Sequence, residues 1–575
     1  MRAWRALGVA AVVAWAGAGC GDDATSGGVA DAVDVADANI ESDADRDADA
    51  DADTDADADR DTDADRDTDA DADAADVADT LPVQIPGERP LALAWAVQSD
   101  QDTGVSVLAP SVLPLRDGGV VIVAGADGPV RFGGRALALD DTHYTHAILT
   151  RVTGDGDVAS LVHLCDRCAA GDSTALAELP SGDLALAGVV SGEVVLDPGG
   201  AGEVRFTTAE GGAELLVARF SRDGAYRDHA RLGAVGFGAV RALSPLPDGG
   251  LALGGVTTGD LEIPGIAFPA PPDAFYPGHG FVVGVDAALG VRWAERLGGA
   301  AGSDVTHVHV DGDTLVAIGD FGGYPPRVAL VIGEGDDATS LESVSSDDDP
   351  AMDVFVSRWR LPDAAAAPAR PTLAWIRRVA HYSNGPRPAT WLVPREGAVD
   401  WLLDGATGVG PDADGVNWVT ARDGYESLVL SAALDGSAVS AGPSFAASPE
   451  LAPGGGFVAS RVVFPGQSFA PGGEDGPTLT VPPRPADPQA DYADGVVVAR
   501  WDDAGDFVNA GVLLLRHAAW IFYVVPVATV ATADGGVLLV LHGSASVTAL
   551  PSVGAPVALE HAGYERLVVL KTRLE

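Results

Sequence analysis

Residues 247–256 read PDGGLALGGV, and residues 280–290 read GFVVGVDAALG. The first is an Asp-Gly-Gly turn running into an apolar strand, where glycine supplies the positive φ that a tight hairpin needs. The second is an apolar strand that runs into another glycine-closed turn. Neither stretch has the three-to-four-residue spacing of a helix face, so together they read as neighbouring antiparallel strands.

Both signals recur along the chain. Turn-then-strand stretches stand at 116–125 (RDGGVVIVAG), 181–190 (SGDLALAGVV), 311–320 (DGDTLVAIGD), 395–404 (REGAVDWLLD), 453–462 (PGGGFVASRV) and 533–542 (ADGGVLLVLH). The strand-then-turn partner returns as HAILTRVTGDG (146–156), ELLVARFSRDG (214–224), DVFVSRWRLPD (353–363), SLVLSAALDG (427–436), GVVVARWDDAG (495–505) and ERLVVLKTRLE (565–575). Most copies are followed by one more short strand, such as YRDHARLG at 226–233. The last copy ends the sequence without one, and LALAWAVQSD at 91–100 has the character of the missing partner.

Seven copies of each signal, about 58 to 85 residues apart, predict an all-β fold. Four-stranded antiparallel blades, repeated radially and closed by an N-terminal strand, describe a seven-bladed β-propeller. The units resemble those of bacterial seven-bladed β-propeller proteins of the SBBP-repeat kind, which pair an Asp-Gly hairpin with a strand of the form D-φ-φ-V-A-R-φ-D-x-x-G. The resemblance covers residues 90–575 and implies a fold, with no catalytic residues. An irregular pair of smaller β domains is the alternative.

Ahead of the repeats, residues 1–20 read MRAWRALGVAAVVAWAGAGC. Arg2 and Arg5 precede an apolar run too short to span a membrane, and small residues lead into Cys20. This resembles a bacterial lipoprotein signal over residues 1–19, which implies lipidation of Cys20. Where that pattern usually has leucine three residues before the cysteine, this chain has Gly17, and cleavage by an ordinary signal peptidase is the competing reading. Residues 20–85 then read as the lipidated cysteine and a tether. From Asp43 to Asp73 aspartate alternates with alanine, threonine and arginine, a pattern whose carboxylates repel and whose alanines bury too little to offset ordering. The tract resembles calcium-binding Asp repeats in composition but lacks the glycine and terminal Glu of an EF-hand loop, so loose counter-ion condensation is expected and defined calcium sites are the alternative. The propeller itself is assigned residues 86–575.

Charge excludes some partners. The chain of 575 residues has 84 acidic and 35 basic side chains, for a net charge of −49, and 24 of the acids lie in residues 21–80. Nucleic acid is disfavoured, because its binding is driven by neutralising phosphate with Lys and Arg. The membrane is reached through the lipid anchor only. Lys571 is the one lysine, which removes any mechanism that needs a lysine elsewhere.

Several residues invite a functional reading. Cys165 and Cys168 (HLCDRC) read as a disulfide in an exported protein, with zinc or redox chemistry as alternatives; His163 is the one obvious further ligand. His307 and His309 share a strand face; His309 aligns with Leu115, Leu179 and Leu246, which favours a core histidine over a metal site. The GHG at 278–280 reads as a turn. The apolar run 518–533 reads as two buried strands joined at Pro526. The loops between second and third strands differ most between units. Unit four there carries Glu334, Asp336, Asp337, Glu342, Asp347, Asp348, Asp349 and Asp353, and unit three exposes Phe268, Phe275 and Tyr276. Such a face suits a cation, a glycan or a protein partner; the plainer reading is solvated loop.

No HExxH, GxSxG or GxxxxGK stretch occurs. The expectation is therefore a monomeric, exported, lipid-anchored propeller at the bacterial cell envelope, on the outer membrane or cell surface, acting as a non-catalytic binding module. No cofactor is expected apart from the calcium alternative. The competing readings are an exported hydrolase or lyase with carboxylates at the channel mouth, and a structural envelope protein with no specific ligand.

Overall fold

The computed structural model describes residues 91–574, apart from stretches of which the longest are 269–277, 344–351, 383–390, 410–426, 470–478 and 481–491; residues 380–455 are described by their backbone strands alone. The chain divides into Met1–Thr80 and Leu81–Glu575, and the described residues all belong to the second. Within them the protein is all-β, and every strand pairing is antiparallel.

Each pair of sequence signals folds into a four-stranded meander. Unit one is Val107–Pro114, Val120–Ala126, His146–Val152 and Val158–Cys168, and unit two is Thr174–Glu178, Leu184–Leu196, Ala213–Phe220 and Tyr226–Val235. Unit three is Gly238–Pro245, Leu251–Thr257, His279–Val285 and Val291–Gly299, and unit four is Gly302–Asp311, Thr314–Gly322, Met352–Arg360 and Thr372–Tyr382. Units five and six run from Trp391–Arg395 to Val439–Phe445 and from Ser448–Leu451 to Phe507–His517. In unit seven, Val524–Ala531, Gly536–Gly543 and Arg566–Leu574 are completed by Leu91–Asp100, which pairs from Leu91↔Leu574 to Gln98↔Val568. The N-terminal strand thus supplies the fourth strand that the last unit lacks. First strands of successive units lie against one another, and that of unit seven also lies against that of unit one.

The second strands explain their own composition. Val120–Ala126 is buried along its whole length. Val120, Ile122 and Ala124 pack with Val530, Leu538 and Val569 of unit seven, while Val121 and Val123 pack with Leu186 and Leu216 of unit two. Both faces meet apolar neighbours, so the strand reads as a continuous apolar run rather than an alternation. Similar clusters join units two and three, three and four, and six and seven. Gly255 and Gly319 occupy equivalent places in these central strands: a Cβ would come within 2.1 Å of the Ala239 carbonyl oxygen and 2.0 Å of that of Asp304.

The connections between second and third strands are more ordered than their sequences suggest. In unit three, Leu261–Ile263 and Ile266–Phe268 form a hairpin that pairs with the outer strand of unit two, Val235↔Leu261. Units one, two, four, five and seven make the same kind of contact with the unit before them, for example Leu297↔Ile332 and Leu514↔Leu550. The added strand covers an outer edge whose N–H and C=O groups would otherwise be unpaired. In those six units part of the variable loop is therefore a structural clasp.

Two further expectations are corrected. In the run 518–533, Val524–Ala531 is one strand, with a register shift between Pro526 and Ala528. As a first strand it has one sheet neighbour, and proline is tolerated at such an edge and at a bulge. The GHG at 278–280 is not a turn, because His279 opens the third strand of unit three and is 2% exposed.

Candidate functional site

The two repeating sequence signals meet in space at one end of the sheets. The turn aspartate uses one oxygen to hold its own turn and the other to bind an arginine from the neighbouring strands. Asp117 Oδ1 accepts the Gly119 N–H at 3.1 Å, and its Oδ2 lies 3.1 Å from Arg151 Nη2 and 2.7 Å from Arg222 Nη2. Asp248 does the same with the Gly250 N–H at 3.1 Å and with Arg292. In unit seven, Asp534 accepts from the Thr532 hydroxyl at 2.5 Å, from Arg573 at 2.7 Å and from Lys571 Nζ at 3.0 Å. The Thr532 hydroxyl, followed by Lys571 and Arg573, holds the Asp534 carboxyl far below the ordinary carboxylate range. Lys571 also donates to the Gly154 carbonyl of unit one at 2.7 Å. The one lysine is thus a staple between the last unit and the first.

Between units three and four at this end lies a cavity of about 510 Å³. Leu246, Pro247 and Trp293 form its apolar wall, and Asp248, Arg292, Asp313 and Arg360 its rim. Those charges are already paired, Arg292 with Asp248 and Arg360 with Asp313 at 3.3 Å. A ligand here would be small and largely apolar.

A different cluster lies on the outer two strands of unit one. His146 begins the third strand and pairs in register with Asp166 on the fourth. His146 Nδ1 is 2.5 Å from Asp166 Oδ1, and His163 Nε2 is 2.7 Å from the same oxygen. The two imidazoles meet edge to face, with ring centroids 5.0 Å apart. Three residues separate His163 from Asp166, which in a regular strand puts them on opposite faces. A bulge resolves this: Cys165 faces Ala147 and His163 faces Ile148, so Leu164 is the extra residue and the parity changes. The same bulge recurs at Leu232 in unit two and Val379 in unit four, both buried. There the equivalents of His146 and His163 are Glu214 with Arg231, paired at 2.6 Å, and Asp353 with Arg378. Arg231 reaches the Thr207 carbonyl and Arg378 the Glu342 carbonyl, so in those units the arginine anchors the end of the clasp hairpin. Unit one replaces that arginine–carboxylate pair with two histidines and an aspartate.

Two buried carboxylates form a third cluster. Asp304 and Asp320 face each other in register on the first two strands of unit four, 1% and 4% exposed. Arg241 Nε of unit three lies 3.3 Å from Asp304 Oδ2.

The sequence candidates fall out unevenly. Cys165 is buried and disulfide-bonded, which takes its sulfur out of any metal donor set; the Cys168 side chain lies outside the described residues. Cys20, Phe275, Tyr276, Glu334, Asp336, Asp337, Asp347, Asp348 and Asp349 also lie outside them, as does the Phe268 side chain. Glu342 is exposed on the clasp hairpin of unit four. Asp353 is 0% exposed and does not belong to an acidic surface. His309 pairs with Val316 as Ser244 pairs with Ala252, so its counterpart is Ser244 rather than Leu246. The hairpin of unit four is one residue shorter than that of unit three, which accounts for one of the two positions of displacement. Burial lowers the pKa of His307 to about 4, and its Nδ1 has no hydrogen-bond partner. His279 is likewise lowered to about 4, by burial first and then by Arg296. His146 and Asp166 were missed as a pair, because strand parity read without the bulge sets His163 and Asp166 apart.

No family model matches the chain, and no curated protein matches it. Among solved structures, the extracellular domain of a hybrid two-component system from B. thetaiotaomicron covers 84% of this chain and 82% of its own length, at 8% identity. Its TM-score of 0.15 is too low to carry a fold or functional assignment.

Proposed function

We propose that residues 86–575 form a seven-bladed β-propeller and that the chain is an exported, lipid-anchored, non-catalytic binding module at the bacterial cell envelope. The observation that carries the propeller is the cyclic run of first-strand contacts, with unit seven returning to unit one and sharing a strand with the N-terminus. Apolar cores between successive sheets support the same reading, since a radial stack buries both faces of every blade. The ligand contacts are assigned to the variable loops, whose sequences offer acid groups in Asp336, Asp337, Asp347, Asp348 and Asp349 and aromatic ones in Phe275 and Tyr276 to a glycan, a cation or a basic protein.

Two experiments test the proposal. Lipid-precursor labelling should mark the native chain and not Cys20→Ala; incorporation that survives the substitution overturns the anchor. Full-length chain should capture a glycan or envelope protein from a defined panel, and a variant with Asp347, Asp348 and Asp349 changed to Asn should lose that capture at unchanged Tm. Turnover of a glycan or ester panel, abolished by one pocket substitution, overturns the non-catalytic reading.

The paired carboxylates of Asp304 and Asp320 favour a second reading, a hydrolase or lyase that shares acid and base roles between them. Their burial weighs against it, because substrate would have to part the neighbouring strands. Activity lost in Asp320→Asn would favour this second reading.

A further inference from the structure

We propose that His146, His163 and Asp166 bind a divalent transition-metal ion, of which zinc is the representative. The proposal rests on the geometry of unit one and is independent of any ligand on the loop face.

The donor set fits. One nitrogen from each imidazole and one carboxylate oxygen all lie within 4.8 Å of one another. A tetrahedral zinc ion with bonds of about 2.0–2.1 Å sets its donors roughly 3.3 Å apart. The present N···O separations are 2.5 and 2.7 Å, so these two contacts need to open by less than about 1 Å to admit the ion. Asp166 is 27% exposed and can rotate to allow this, while His146 at 2% and His163 at 14% are held by the strands.

The scaffold is built for convergence. All three donors stand on two paired strands rather than on a loop, and the Leu164 bulge turns His163 to the side of Asp166. Sites on regular elements hold ligand geometry more tightly than sites on loops.

Comparison with the other units supplies the independent argument. In unit two the equivalent place holds Glu214 against Arg231, a pair that neutralises itself. In unit one, among the described residues, the groups at ion-pair distance from Asp166 are the two imidazoles. Arg205 acts on Asp166 through charge from a distance, and a bound cation would place positive charge directly between the carboxylate and the two imidazoles. With Cys165 held in a disulfide, the donors are nitrogen and oxygen only. Two imidazoles select zinc, cobalt, nickel or copper over calcium and magnesium, which prefer all-oxygen shells. Three protein donors and a partly exposed carboxylate leave a coordination position open to solvent or to an outside ligand.

The test uses the full chain, stripped with a chelator and loaded with cobalt(II) as a spectroscopic probe, then with zinc. The expected result is one cobalt ion per chain, with a visible band several-fold stronger than that of the aquo ion, no thiolate band, and displacement by zinc. Asp166→Asn and His163→Gln should each weaken zinc binding at least tenfold, and excess calcium should not compete. A spectrum that stays aquo-like at every loading overturns the site. So does zinc uptake unchanged in both variants, which would assign the metal to the aspartate tether. Should a variant fail to fold, the cobalt spectrum of the native chain decides alone.

Discussion

Replacing Lys571 with methionine tests whether the last unit is stapled to the first as the geometry requires. Methionine keeps most of the apolar stem, so little packing is lost and the change removes mainly the ammonium. That ammonium donates to Gly154 O at 2.7 Å and to Asp534 Oδ2 at 3.0 Å while only 5% exposed. A hydrogen bond from a charged donor contributes about 1.5–3 kcal/mol. The Asp534 pair adds little beyond this, because that carboxylate is 40% exposed and keeps Arg573 and Thr532. The expected destabilisation is therefore about 2–3 kcal/mol, read from urea unfolding as a lower midpoint at unchanged slope. Asp534 adds a pH signature. Its folded pKa is depressed, by Thr532 first and then by Lys571 and Arg573, so its contribution is present above the ordinary carboxylate pKa and is lost as pH falls; because the variant keeps Thr532 and Arg573, the gap between native and variant should narrow only slightly in acid. Because Lys571 is the one lysine, its rate of reaction with an amine reagent gives an independent measure of opening at this seam. A loss under about 0.5 kcal/mol, or full-rate labelling in the native state, would refute the staple.

Other consequences are equally open to measurement. His279→Leu removes two buried nitrogens that have no hydrogen-bond partner and should leave stability unchanged or raise it by about 1 kcal/mol, seen as an unchanged or higher Tm. In the native chain His279 and His307 titrate near 4 when folded against an ordinary 6.5, so the unfolded state binds more protons between those values. Stability should then be full above pH 6.5 and fall toward pH 4, and a flat Tm across that window would contradict the burial of both rings. Gly319→Ala drives a Cβ to 2.0 Å from a backbone oxygen and 2.7 Å from Phe355, and should cost roughly 3 kcal/mol or more by denaturant unfolding. Arg378→Ala removes the anchor to Glu342 O in unit four and should cost about 2 kcal/mol while speeding proteolysis of the 333–353 loop; unchanged cleavage would separate the arginine from the clasp.

The all-β character was legible because the second strands need the same two things locally, a glycine-bearing turn and an apolar strand after it. Even the join of the N-terminal strand to the last unit followed from counting strands. What the turn aspartate and the strand arginine do for each other was not legible, since Asp117 and Arg151 lie 34 residues apart and meet only through pairing. The clasp hairpins were hidden for a related reason. Short strands such as Leu261–Ile263 have too few residues to show a period, and they exist because a neighbouring edge is there to pair with.

The sequence by itself determined that this protein is all-β, where its turn-and-strand signals lie, and that its acid-rich start differs in composition from the rest. Those features depend on composition and on periods of two, which a single strand displays whether or not its partners are known. Tertiary structure alone decided the His146–His163–Asp166 cluster. One extra residue at Leu164 reverses the parity of everything after it in the strand, and the register that exposes such a bulge belongs to two strands at once.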